Sequence, residues 1–240
     1  MTCYYDDEHF GRVMVTLRKG MTSFRAIWKQ GVLHVSAPPF YNAAILKEML
    51  AAHRDQIDAL KSKESVVRYE VGQVIPGFHC TIKIGTQNKV RGKILLKTQC
   101  ENGEHHMYIN VFDNGQTPIV IHPTIVSKII SVLLHDAAPI VLIPFAQQVA
   151  KEVGVEPAGF EIGRGMKKLG HCTRRGIVQL SHNLMLLPEH LVRYIILHEY
   201  AHLTHLDHSP AFHALVNQYT GGKEKELEKE LKQFVWPIIK

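Results

Sequence analysis

Leu187–Leu206 reads LPEHLVRYIILHEYAHLTHL. Pro188 suits the first turn of a helix, and neither proline nor glycine interrupts the chain from Glu189 onward, so the spacing predicts one mostly buried helix running through Leu206. Within it, His198-Glu199-Tyr200-Ala201-His202 is H-E-x-x-H, which sets two imidazoles one turn apart on a single face. Two nitrogens so placed converge on one ion. Glu199 is rotated by about 100° from His198, so its carboxylate stands beside the ion and takes a proton from water instead of acting as a ligand.

Zn²⁺ held with one position open for water and substrate needs a third protein ligand. His205 and His208 compete. A continuing helix carries His205 about 10 Å along the axis from His198, too far to share an ion bound at about 2 Å. His208 follows Leu206-Asp207 and precedes Ser209-Pro210, a cap and first-turn pair for another helix, so the chain turns back and carries His208 to the ion. The candidate centre is therefore His198, His202 and His208 as metal ligands, Glu199 as base and Zn²⁺ as cofactor. His205 and His213 are assigned packing or supporting roles.

Upstream, strand candidates Phe160–Gly163 and Gly176–Leu180 flank a basic loop, Arg164–Arg175. Hydrolysis of an acyl bond needs a donor for the developing oxyanion, and this loop offers Lys168, His171, Arg174 and Arg175. Tyr200 faces away from the Glu199 side. Cys172 has no accompanying base and is assigned as a buried structural thiol. Ser181, His182 and Asn183 fit a strand end and turn.

The first hundred or so residues alternate apolar and polar side chains as half-buried strands do, at Arg12–Leu17, Ser23–Lys29, Val32–Ser36, Val66–Val71, Phe78–Ile84, Lys93–Thr98 and Met107–Phe112. One amphipathic helix, Asn42–Leu60, interrupts them. From Thr117 the texture turns helical, with Pro123–Leu134 and Pro144–Val153 each opening on a proline. The chain is thus expected to form a β-rich unit over 1–115 and a metal-binding catalytic unit over 116–240, an α+β class. After Gly221-Gly222, Lys223–Trp236 carries one apolar stripe amid alternating charge. No internal sequence repeat is evident.

With 240 residues, 45% of them hydrophobic, the chain buries enough core to fold without a metal staple. Four separated cysteines without a C-x-x-C pair argue against a disulfide framework or a thiolate zinc ribbon. The apolar stretch Ile129–Ala146 contains His135, Asp136, Pro139 and Pro144 and is assigned to core helices, not a membrane span. No basic stretch followed by an apolar run opens the chain, so a cytoplasmic location is expected.

These residues resemble the YgjP-like metallopeptidase family, a zincin group also similar to the SprT-like proteases. HEYAHLTHLDHSPAFH, His198–His213, resembles its H-E-x-x-H, five residues, H-S-x-x-F pattern, with His208 as third ligand. LGHCTRRGIVQLSHNLMLLPEHLVRYIILHEY from Leu169 resembles the family's run beginning Trp-Gly-Ser-Cys, and Val32–Pro39 its N-terminal strand before a helix. Leu169-Gly170-His171-Cys172 and His213 depart from that pattern, which has Trp-Gly-Ser-Cys and a Trp after Phe212. The resemblance implies an α+β zincin-like fold with an active-site helix.

Three functions are compatible with these residues. The first is zinc-dependent hydrolysis of a peptide or protein substrate, with Glu199 moving the proton. The second is a metal-dependent nucleotide pyrophosphatase, with Arg164, Lys167, Lys168, Arg174 and Arg175 neutralising phosphates. The third is a non-enzymatic DNA-associated zinc protein, favoured weakly by the net charge of +6. No membrane partner is expected.

Overall fold

Alternation in the first thirty-odd residues becomes a sheet because Val13, Val15, Leu33 and Val35 all fall on one face and are buried there. The computed structural model describes residues 2–29, 31–61, 67–113, 115, 121–166 and 168–239. It divides into two units, Met1–Val67 and Arg68–Lys240. The boundary expected near residue 115 falls among residues 114 and 116–120, which lie outside those described.

In the first unit, strands β1 (Thr2–Asp7), β2 (Gly11–Leu17), β3 (Arg25–Lys29) and β4 (Val32–Ala37) form a sheet of order β1-β2-β4-β3. Its outer pairs are antiparallel and its central β2–β4 pair is parallel. Helices α1 (Ala43–Ala52) and α2 (Arg54–Lys61) replace the single helix expected over Asn42–Leu60. The break is at His53, whose ring Nδ1 and backbone N–H both donate to the Met49 carbonyl, closing α1 there. Leu46, Leu50 and Ile57 still reach the sheet's core.

The second unit opens with β5 (Val74–Gly77), β6 (Cys80–Gln87), β7 (Leu95–Glu101) and β8 (Glu104–Phe112), in order β5-β6-β8-β7. The outer pairs are again antiparallel and the central β6–β8 pair parallel, so the two units share a strand topology that no sequence repeat announces. The strand expected over Val66–Val71 is not one. Residue 66 lies outside the described residues, and residues 67–70 join no ladder. Tyr69 there bonds Ser127 at 2.7 Å and donates to the Pro237 carbonyl at 2.9 Å.

Helix α3 (Pro123–Val153) corrects the expectation of two helices. Its buried residues recur at i, i+3 and i+4 from Val126 through Ala150 without losing phase, while Pro139 and Pro144 point outward. Continuous burial of that stripe outweighs the hydrogen bonds the prolines remove. By length and composition α3 is able to cross a membrane, with 44% of its most apolar window buried inside the protein.

A second sheet of the same unit, order β10-β11-β9, comprises β9 (Gly159–Gly163), β10 (Gly170–Cys172) and β11 (Ile177–Ser181). β11 runs into a 3₁₀ turn, His182–Leu186, that is buried throughout. Then come α4 (Glu189–Ala201), α5 (Pro210–Thr220) and α6 (Glu224–Gln233). The fold is α+β, in keeping with a zincin-like metallopeptidase domain.

Candidate metal centre

α4 buries Leu191, Val192, Tyr194, Ile195, Ile196 and Tyr200, which fixes the rotation of the helix and leaves His198 half-buried. Tyr200 is fully buried and its hydroxyl donates to the Ala146 carbonyl on α3, a packing role. The helix ends at Ala201, five residues short of the expected Leu206. His202 caps it, and its Nδ1–H donates to the His205 carbonyl at 2.9 Å, drawing the chain into a turn. That bond leaves His202 Nε2 bare as an acceptor, and the support from His205 comes through its backbone carbonyl. Ser209 Oγ then caps α5 by accepting the Phe212 N–H, and His208 lies in the bend between the two helices.

His198, His202 and His208 come together: one nitrogen from each lies within 4.8 Å of the others. The Nε2 atoms of His198 and His208 are 3.3 Å apart. Two ligands on a tetrahedral ion with bonds of about 2.05 Å stand about 3.3 Å apart, so this donor set suits Zn²⁺. Buried Phe212 lies beneath all three rings, with centroids 4.9, 4.4 and 4.8 Å from those of His198, His202 and His208. Burial, then the charges of His202, His208 and His213, pushes the His198 pKa down to about 4. Burial also lowers that of His202. Both rings are therefore neutral at pH 7, the state in which imidazole binds a metal.

Glu199 is only 5% exposed. Burial pushes its carboxyl up to about 7, against the opposing pull of the Cys172 N–H, which donates to it, and of the Lys168 charge. The edge strand β10 thus lies directly on the carboxylate. Gly170 makes that approach possible: a Cβ there would stand 2.6 and 2.7 Å from Glu199 Cγ and Cδ.

A family model described as "YgjP-like, metallopeptidase domain" matches residues 23–234. The chain belongs to this YgjP-like family. As a YgjP-like domain it is a metal-dependent peptidase, and its family implies a divalent cation. Among solved structures, the "metallopeptidase zymogen of Pyrococcus abyssi abylysin" aligns at 22% identity over 38% of this chain and 90% of that one, with a TM-score of 0.34. No curated protein matches the chain.

The substrate-contact candidates of this YgjP-like domain separate. Exposed His171 on β10 lies close enough to His202 to act on it electrostatically, and exposed Lys168 reaches Glu199 in the same way. Arg174 and Arg175 occupy the turn joining β10 to β11. Lys167 lies outside the described residues. Cys172 is buried, and burial followed by the Glu199 charge raises its pKa, as befits a structural thiol.

Ser181 and His182 lie at the strand end and turn expected of them, but their contacts, like those of Gly170 and Glu224, are not legible in the sequence. Gly170 sits within a quoted motif, yet nothing local announces its contact with Glu199. Glu224 is 6% exposed and accepts from His213 Nδ1 at 2.6 Å and Asn217 Nδ2 at 2.8 Å, tying α6 to α5 beside the histidines. Ser181 Oγ donates to the Gly165 carbonyl at 2.6 Å and His182 Nδ1 to that of Gly163 at 3.0 Å. These two bonds fix the start of the segment that carries Lys168 and leads to β10.

Proposed function

We propose that the chain is a zinc peptidase in which His198, His202 and His208 hold the ion and Glu199 is the general base. The convergence of three imidazole nitrogens within 4.8 Å beside a buried carboxylate carries this reading. When bound, the ion supplies Lewis acidity that polarises the scissile carbonyl and acidifies water. Glu199, with its pKa raised to about 7, takes the proton of the attacking water and returns it to the departing amine. β10 is the edge of its sheet, so an extended peptide can add to it as a further strand. His171 and Lys168 flank that edge and are the groups assigned to the carbonyl oxygen as its charge develops. The substrate is a peptide or protein, and the cytoplasm is the proposed location.

The test compares wild type with Glu199→Gln and His208→Ala. Freshly purified wild type should carry one zinc and cleave members of a peptide library. The glutamine variant should retain the zinc and lose turnover, whereas His208→Ala should lose the zinc. Wild-type turnover in Glu199→Gln refutes the base. Hydrolysis of nucleoside triphosphates in place of peptides moves the function to phosphoanhydrides, and zinc retained with neither activity leaves a structural role.

A further inference from the structure

The four-stranded sheet of the second unit buries Ile82, Ile84, Met107 and Ile109 on one face, which turns Lys83, His106, Tyr108 and Phe112 to the other. Register aligns Val74, Lys83, Tyr108 and Lys97 in one row across the four strands. Lys83 Nζ and Lys97 Nζ stand 5.7 and 6.0 Å from the centroid of the Tyr108 ring between them. In the first sheet the row Tyr4, Met14, His34 and Ile27 holds no lysine or arginine of its own, although Arg12 stands 5.5 Å from the centroid of the Tyr4 ring, so the shared topology does not demand a lysine pair.

The connection from β6 to β7 extends this basic surface through Lys89, Arg91 and Lys93. All five cations are exposed, and none is ion-paired among the described residues. The connection is ordered by one side chain. Gln87 Oε1 accepts the backbone N–H groups of Lys89 and Val90 at 2.8 and 2.9 Å, while its Nε2 donates to the carbonyls of Val90 and Lys93 at 2.8 and 2.7 Å. Within the four strands the carboxylates are Glu101 and Glu104, which pair across from each other at the far end of the face, with Glu104 3.6 Å from His79.

We propose that this face, built on the Lys83–Tyr108–Lys97 row, binds single-stranded nucleic acid. Unpaired cations supply the counter-charge for a phosphate backbone. The His106 and Tyr108 rings, at alternate positions of β8 and about 6.6 Å apart along the strand, with Phe112 beyond Asn110 on the same side, offer unpaired bases a surface on which to stack. A duplex keeps its bases stacked internally, and an acidic peptide has no use for the rings. The surface is distinct from the loop 164–175 and from the histidine centre.

Fluorescence anisotropy of the full chain with a labelled oligothymidylate of about twenty nucleotides tests this, a length beyond one binding face. The logarithm of affinity should fall with that of salt concentration with a slope of about −3.5, at about 0.7 for each of five cations. Lys83→Gln with Lys97→Gln, both on exposed surface, should lower that slope by about 1.4. Tyr108→Ala should weaken binding about 5- to 150-fold with the slope kept, and Tyr108→Phe should restore it. Circular dichroism checks that each variant is folded. Absence of binding by wild type, a slope unmoved in the lysine pair, or equal affinity for a polyglutamate peptide overturns the proposal.

Discussion

Gly170→Ala isolates the contact between β10 and the proposed base. Gly170 does not adopt a positive φ, so an alanine there meets no backbone penalty and tests space alone. Its Cβ would lie 2.6 Å from Glu199 Cγ and 2.7 Å from Cδ. Carbon atoms prefer about 3.5–4.0 Å, so the carboxylate or the strand must retreat by roughly 1 Å. Displacement of that size costs on the order of 100-fold in rate, about 2.7 kcal/mol. The assay is kcat on a cleaved peptide at measured, equimolar zinc, with thermal unfolding alongside. The expected outcome is a 100-fold loss of kcat with zinc retained. Glu199→Asp withdraws the carboxylate by one methylene, so adding Gly170→Ala to it should cost much less than in wild type, a coupling between the two positions. Wild-type kcat in Gly170→Ala at full zinc would refute the reasoning.

Two further predictions concern groups away from the histidines. Burial, reinforced by the Glu104 charge, pushes the Cys80 thiol up to about 12, so it stays protonated under mildly alkaline conditions while exposed Cys100 is open to reagent. Mass spectrometry after brief alkylation at about pH 8.5, the range of an ordinary thiol, should find Cys100 modified and Cys80 intact; the reverse order would contradict the burial of β6. Burial lowers the pKa of His182, so the folded state binds its proton less readily than the unfolded chain. Its contribution is present above the ordinary imidazole pKa of about 6.5 and is lost as pH falls through the lower folded value. Denaturant unfolding across that window should show a smaller acid loss in His182→Gln than in wild type. The variant should also be less stable at neutral pH by about 1–3 kcal/mol, for the lost bonds to Ser131 and Gly163.

How much the sequence discloses depends on the range of the interaction that fixes each feature. His198, Glu199 and His202 are set by helical period alone, and Ser209-Pro210 marks the turn that brings in His208, so all three histidines are legible within eleven residues. The end of α4 is not, because it depends on a side-chain bond from His202 to the His205 carbonyl that cuts the helix short of its apolar pattern. α3 fails in the opposite sense. Pro139 and Pro144 signal breaks locally, and the buried stripe they share with their neighbours overrides them only once something packs against it. β10 is too short and too poor in β-branched residues to show a strand pattern.

The contrast between ligands and base has a chemical consequence. The proposed metal ligands are assembled by one helix end and one bend, so on that reading changes elsewhere in the chain should leave metal binding largely intact. The proposed base is different: burial beneath Gly170 raises the Glu199 pKa to about 7 against the Cys172 N–H and the Lys168 charge, which lower it, and all three come from a strand and loop some thirty residues upstream. Those in turn are held by Ser181 and His182 through the carbonyls of Gly165 and Gly163. Displacing β10 therefore exposes Glu199, drops its pKa toward that of an ordinary carboxylate and weakens it as a base, with the metal still in place. On this geometry zinc content and turnover are separable properties, and a zinc-replete but inactive variant is the signature of damage to the strand, not to the histidines.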